Sequence, residues 1–407
     1  DIYEHKTIRE IAENFSSDKP KKEEKMASNV YYKFNEDFSE QKISEKNVLL
    51  TGSTGYLGIH ILYELLKKTD ANVYCIIRKK NGEPVTERLK EKLSFYFGDE
   101  LLQYLGNRIQ VVEGDIALPK FGLKDSEYEN LGKTVNVVIH SAAIVDHYGN
   151  KDLFESINVT GTNNVLEFCK EFNVYLNHIS TTSVSASKPN ADKPTLFNEH
   201  ALYVGQNYSD NIYIKTKFEA EYNVMQALSN SEVKASIYRL GNISARYSDG
   251  KFQENDNKNA FLNRVVTLAK LDKIPKSFSK FKVDLSPVDY CAQTIVSLSM
   301  LESSYSKVFH IYNNNEVNFI DLVNQLKPQD KKIEEVSDDE FYSYVKNKSD
   351  IYGIINDITS NGAQYNSNIE MNNNFTIDYM KKDGLAWPEI NENYIHKFFG
   401  KYLNEGE

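Results

Sequence analysis

Asn47-Val48-Leu49-Leu50-Thr51-Gly52-Ser53-Thr54-Gly55-Tyr56-Leu57-Gly58 is the stretch on which the fold turns. An apolar run breaks into a turn with glycine at 52, 55 and 58, and a helix-like segment, His60-Ile61-Leu62-Tyr63-Glu64-Leu65-Leu66, follows at once. In this strand–turn–helix setting each glycine has its own task. Gly52 permits the tight turn, Gly55 lets the backbone approach a pyrophosphate, and Gly58 lets the helix pack close to the sheet. The helix N-terminus then faces the anion. Thr51, Thr54, Tyr56 and Leu57 complete the candidate nucleotide loop.

Working outward, strand-like runs at 72–77, 109–113, 135–140, 175–180, 233–239 and 307–312 alternate with helix-like patterns at 57–68, 84–97, 151–172 and 212–229. Such alternation predicts an α/β fold, a Rossmann-type doubly wound parallel sheet with ligands at the carboxyl ends of its strands. The nucleotide domain is expected over 46–245, with 283–313 returning to it. After residue 245 helix-like pieces (258–271, 289–303, 317–327, 338–349, 390–404) alternate with polar loops. Residues 246–282 and 314–407 are therefore expected to form a smaller, mainly helical C-terminal substrate domain. The asparagine-rich stretch 359–375 reads as mobile, a surface loop or a lid.

The chain has 407 residues, 40% hydrophobic and 26% charged, with a net charge of −10. That balance argues against a nucleic-acid groove, which needs a concentrated basic surface. No apolar run approaches the ~18 residues of a membrane span. Cys75, Cys169 and Cys291 are far apart in apolar stretches, which fits buried thiols in a reducing compartment and predicts a cytoplasmic protein without a metal site. The chain opens on Asp1 rather than Met, so it reads as cut from a longer polypeptide. Residues 1–17 carry an amphipathic helix pattern (Ile2, Tyr3, Ile8, Ile11, Ala12, Phe15), and 18–45 read as a charged linker.

Cofactor choice is decided at the end of the second strand, where an acidic residue would bind a ribose 2′-hydroxyl. Here Arg78-Lys79-Lys80 stands instead, with Arg88 further on. A guanidinium fork fits a phosphate bidentately, so NADPH is expected over NADH. Lys79 and Lys80 read as ordinary surface charges. Asp115, followed by Ile116, ends the third strand where an adenine amino group could be held.

Hydride chemistry on a carbonyl also needs a proton donor. Tyr213-Ile214-Lys215-Thr216-Lys217 places Tyr and Lys at i and i+4 on one helix face. The ammonium is expected to lower the phenol's pKa from about 10 toward working pH. Tyr63/Lys67, Tyr247/Lys251, Tyr342/Lys346 and Tyr344/Lys348 share the spacing, so position decides. Tyr213 follows the hydroxyl-rich strand end Ser180-Thr181-Thr182-Ser183, whose members compete to supply a second hydrogen bond, and it follows Asn158.

The order of Thr51–Gly58, Asn158-Val159-Thr160-Gly161-Thr162, Ser180-Thr181 and Tyr213…Lys217 resembles an extended short-chain dehydrogenase/reductase. Within that superfamily, Gly114–Leu123, His140-Ser141-Ala142-Ala143, Tyr238–Ser244 and Ser286–Tyr290 are similar to the thioester reductase domains that terminate nonribosomal peptide synthetases. Asp1–Ala12 resembles the last helix of a peptidyl carrier protein.

The resemblance implies NADPH-dependent reductive release of a carrier-bound acyl or peptidyl thioester as an aldehyde, with a second round giving an alcohol. It implies that Thr181 assists Tyr213 and that Lys217 poises Tyr213 and binds the nicotinamide ribose. Asn158 would hold a proton-relay water, and Ser141, Ala142, Ala143 and Leu240 would line the cofactor. The implied partner is an upstream peptidyl carrier protein bearing phosphopantetheine, with this chain a monomeric module of a larger synthetase. Tyr208-Ser209-Asp210-Asn211-Ile212 lacks the glycine-rich approach common in these reductases. Nucleotide-sugar epimerases and dehydratases share the cofactor and tyrosine motifs. A non-catalytic NADPH-binding module is the third reading, against which the intact Tyr, Lys, Thr and Asn set argues.

Overall fold

Continuous aliphatic runs bury both faces of a strand, and such strands assemble in parallel under helices. In the computed structural model, which describes residues 28–43, 47–80, 82–146, 149–188, 193–327, 331–346 and 368–403, these runs do so. β1 (Asn47–Thr51), β2 (Asn72–Ile77), β3 (Ile109–Glu113), β4 (Val137–His140), β5 (Tyr175–Thr181), β6 (Ala235–Leu240) and β7 (Val308–Ile311) form one sheet. Their order is β7-β6-β5-β4-β1-β2-β3, with every pair parallel. The order reverses between β1 and β4, and a crevice at the carboxyl ends is the expected place for a ligand.

One face of the sheet is covered by α1 (Tyr56–Lys68), α2 (Val85–Phe97) and α7 (Val288–Ser299), whose Ile59, Leu62, Leu89, Leu93 and Ile295 share its core. The other face carries α3 (Asp125–Thr134), α4 (Gly161–Phe172) and α5 (Ile212–Ser229) through Leu131, Val165, Phe168, Phe218 and Val224. A helical lead-in, Lys151–Phe154, runs into α4 through a π-helical turn, Glu155–Thr160. Such turns concentrate at functional sites, and this one carries Asn158.

A third core forms the C-terminal unit. α6 (Ala260–Ala269), α8 (Phe319–Gln325), α9 (Asp338–Val345) and α11 (Glu392–Leu403) meet through Leu262, Val265, Leu322, Phe341, Tyr394 and Phe398. The expected division of the chain needs two corrections. First, the segment 368–388, assigned above to the C-terminal domain, packs on the sheet: α10 (Asn374–Lys382) puts Tyr379 and Met380 into the sheet core, and Trp387 follows. Ile369–Met371 pairs in parallel with Thr195–Phe197, and Asn373 is buried with its amide on Tyr312 O at 3.0 Å. The described part of the asparagine-rich stretch is thus held by strand pairing and side-chain hydrogen bonds; 359–367 lie outside the described residues.

Second, residues 28–43 do not behave as a linker. They run as a strap along the sheet domain. Val30–Tyr31 pairs antiparallel with Ala201–Tyr203, Tyr32 is buried, Phe34 stacks on the His200 ring at 4.0 Å, and the Ile43 amide donates to Met300 O at 2.8 Å. Apolar side chains spaced through a polar text explain this docking. The carrier-like pattern at 1–17 lies outside the described residues.

Candidate active site

At the end of β1 the glycine turn closes with Gly55 N–H donating to Gly52 O at 2.9 Å. Gly52 has φ +76°, and a Cβ there would lie 2.7 Å from Ala142 N. A Cβ on Gly58 would lie 2.0 Å from Gly52 O, so α1 could not approach the turn this closely with any other residue. Gly55 is the N-cap of α1 and offers no side-chain cap. The first-turn N–H groups therefore face outward for an anion. This cradle fits a dinucleotide pyrophosphate. Thr51 and Tyr56 turn their side chains elsewhere. Thr51 Oγ1 accepts from Ala142 N–H at 3.2 Å and meets His140 Nδ1 at 2.8 Å. The Tyr56 phenol donates to Ser244 O at 3.1 Å, tying the loop to the C-terminal unit. Both residues can serve a cofactor through their backbones.

His140 links three elements. Its Nε2 meets Thr162 Oγ1 at 3.1 Å, and that hydroxyl donates to Asn158 O at 2.7 Å. The pattern assigns the proton to Nε2 and leaves Nδ1 to accept from Thr51. Burial, with the Lys217 ammonium nearby, lowers the imidazole to about 3, so it stays neutral.

On the β2 side of the turn, Arg78 follows the strand, with Nε 4.0 Å from Asp115 Oδ2. Arg88 is largely committed: it donates to Arg78 O and lies 3.6 Å from Glu83. These contacts brace the backbone at Arg78. Asp115 accepts Ala117 N–H at 3.0 Å, and Ile116 is buried against Gly161.

Across the switch point, Asn211 caps α5 by accepting from Tyr213 and Ile214 N–H at 2.9 and 3.1 Å. This Asx cap fixes the start of the helix without a glycine-rich approach. It sets the entry of Tyr213, with Lys217 buried one turn on and its Nζ donating to Ile179 O at 2.7 Å. The hydroxyls competing at the end of β5 are told apart. Ser180 donates to Glu221, and Thr182 donates to Leu240 O at 3.2 Å. Thr181 hydrogen-bonds the Tyr213 phenol while accepting from Ser183 N–H at 3.1 Å.

The expected electrostatics are corrected here. The Tyr213 phenol sits above its ordinary value, because burial raises it and the Thr181 hydrogen bond offsets that in part. Lys217 is itself lowered to about 8 by burial, against the opposing pull of Glu221. Burial therefore outweighs any pull of the Lys217 charge on the phenol. Asn158 accepts from Ile144 N–H at 2.8 Å, and its amide donates to Ile144 O and Thr216 Oγ1 at 3.1 and 3.0 Å. With both amide hydrogens spent, it pins the Ser141–Ala142–Ala143 loop and can offer a water a lone pair of Oδ1.

One constellation was not anticipated. Glu221 and Arg239 form a buried ion pair behind Lys217. The available signals were a glutamate four residues beyond Lys217 and an arginine inside the otherwise apolar strand text Ser236-Ile237-Tyr238-Arg239-Leu240. Among the described residues no acidic or thiol cluster suits a metal ion, and no helix is long and apolar enough to cross a membrane.

Comparison with known proteins bears on this geometry. A family of NAD-binding domains described as male sterility protein matches residues 50–295. A linear gramicidin synthase polypeptide of Brevibacillus parabrevis is 26% identical over 367 residues, covering 88% of this chain and 7% of that protein. L-2-aminoadipate reductase of Saccharomyces cerevisiae is 27% identical over 311 residues, covering 72% of this chain and 22% of that enzyme. The chain thus spans a small part of the curated relatives it matches. A solved thiolation-reductase di-domain from an archaeal nonribosomal peptide synthetase is 36% identical with a TM-score of 0.79, covering 90% of this chain and 76% of that one.

Proposed function

The chain belongs to the male sterility protein family of NAD-binding domains, and from that premise we propose that it is an NADPH-dependent reductase releasing a carrier-bound acyl or peptidyl thioester as an aldehyde. The observation that carries the proposal is the Tyr213 phenol on Thr181 at the carboxyl end of β5, with Lys217 held on Ile179 O of the same strand and the glycine cradle two strands away across β4. When bound, the nicotinamide cofactor supplies the hydride.

The protein's own groups do the rest. A phenol held above its ordinary value keeps its proton at neutral pH, as an acid must. In this reading the Thr181 hydroxyl donates to the phenolic oxygen, which favours the phenolate and accords with the lowering it brings. Tyr213's own proton is then left to donate to the thioester oxygen and stabilise the charge that develops there. Lys217 would hold the nicotinamide ribose and Arg78 the 2′-phosphate. The tetrahedral hemithioacetal then expels the carrier thiol, leaving an aldehyde; a second round gives an alcohol.

Delivery by a phosphopantetheine arm is supported by the similarity to a thiolation-reductase di-domain. Tethering raises the local substrate concentration to about millimolar, so little intrinsic affinity for the acyl chain is needed. The test is NADPH consumption with an acyl group on a carrier protein, on coenzyme A at micromolar concentration, and as the free acid. The carrier thioester is expected to react far fastest and the free acid not at all. Equal rates for the two thioesters would point to a free-standing acyl-CoA reductase. Turnover of a nucleotide sugar, with none of any thioester, would move the chain to the epimerases.

A further inference from the structure

The buried cluster behind Lys217 is completed from outside the sheet. Glu221 lies one helical turn beyond Lys217, and both it and Arg239 on β6 are fully buried. Arg239 Nε donates to Glu221 Oε1 at 2.9 Å, and Ser180, next to Thr181, donates to the other carboxylate oxygen. A further donor comes from the strap: the Tyr32 hydroxyl lies 2.9 Å from Glu221 Oε1. The Tyr32 ring is 6% exposed, with the Arg239 guanidinium 5.6 Å from its centroid. The strap aims it, because Tyr32 N–H donates to His200 O at 2.7 Å with the Val30–Tyr203 pair on one side and the Phe34–His200 stack on the other.

The carboxylate that favours the Lys217 ammonium is therefore itself held by a hydroxyl from the segment upstream of the domain. We infer that Tyr32 is a positioning residue of the reductase, whose hydroxyl fixes the orientation and effective charge of Glu221 and, through it, the charge state of Lys217. This rests on the role given to Lys217 above. The other titratable groups near Lys217 are His140 on β4 and His178 on β5, both kept neutral by burial, and Tyr213 on its own helix; Arg239 stands behind Glu221. The direction follows from the chemistry. A hydrogen bond donated to Glu221 disperses its negative charge, so removing one leaves more charge acting on Lys217, and the ammonium persists to higher pH.

The test compares Tyr32→Phe with Tyr31→Phe in the full chain; Tyr31 is 52% exposed and undergoes the same loss of a hydroxyl. Affinity for the reduced nicotinamide cofactor, read by fluorescence titration, and kcat/KM for thioester reduction are followed across alkaline pH, with Tm as a check on folding. Tyr32→Phe is expected to move the alkaline limb of both profiles upward by about half a pH unit, as for the loss of one hydrogen bond acting through a neighbour, and Tyr31→Phe to leave both in place. An unmoved limb with only a lower Tm overturns the inference, as does a limb that moves down or a wild-type affinity with no alkaline limb. If no thioester is reduced yet the affinity limb moves, the proposed activity fails and the inference about Tyr32 stands.

Discussion

Two polar constellations flank the glycine cradle, and they are built in opposite ways. On the β2 side Arg78 has a side chain 51% exposed and lies 4.0 Å from Asp115, while Lys79 lies 3.8 Å from Glu113. Across the switch point Glu221 and Arg239 are dry, and the carboxylate takes donors from Arg239, Ser180 and Tyr32. Exposed pairs in water contribute little to stability and exchange partners readily. A buried pair has lost its hydration and holds only while every partner stays. The open rim thus suits capture of a phosphate, whereas the closed interior suits holding a reacting group still.

The sharpest test of that contrast is at the reacting group. Tyr213→Phe keeps the ring and removes the proposed proton donor, so turnover should fall about 10²–10⁴-fold while the cofactor still binds; near-full activity would mean that the interior does not serve catalysis. Next, Glu221→Ala strands the Arg239 charge and should cost about 3–5 kcal/mol of stability, read from urea unfolding. On the rim, Arg78→Ala should leave folding intact and weaken NADPH binding by about 1.5–3 kcal/mol, as for a hydrogen bond to a charged group. NADH binding should barely change, and a wild-type preference for NADH would remove the rim's assigned purpose.

A smaller effect is expected from pH. Lys217, lowered to about 8, should lose its proton as pH rises through that value in the cofactor-free enzyme. In the role proposed for Lys217 the ammonium form is the active one, so kcat/KM should decline above pH 8, by up to about tenfold per unit. Least of all, Lys79→Ala should change stability by less than about 1 kcal/mol; a larger loss would show that the rim is structural after all.

How much of this was legible followed the range of the signal. β1, β2, β3 and α5 stand at the expected boundaries, because aliphatic runs and an Asx cap are local features. α3 was not foreseen: its text, Asp125-Ser126-Glu127-Tyr128-Glu129-Asn130-Leu131-Gly132-Lys133-Thr134, is polar and contains a glycine. A Cβ at Gly132 would lie 2.2 Å from the Phe172 ring, so that glycine answers to a contact on another helix. Thr181 could be chosen from its hydroxyl neighbours by family resemblance, but the geometric reason lies in which strands flank β5. The strap was hidden because five apolar anchors, Val30, Tyr32, Phe34, Phe38 and Ile43, are diluted in charged text and pair with residues far along the chain. The Glu221–Arg239 pair crosses from helix to strand, and no spacing rule reaches that far.

At the far end of the sheet, β7 is an edge strand. Its outward His310 N–H is taken by Thr376 Oγ1 at 2.8 Å, its ring engages Asn372 O at 2.7 Å, and Phe309 stacks on Phe375 at 5.7 Å. Unpaired edge amides are templates on which a strand from another chain can grow. Here the template is plugged by a helix rooted in the sheet core through Tyr379 and Met380. A stray strand would have to uproot that helix before making its first hydrogen bond, so this edge resists aggregation even where copies of the protein are crowded together.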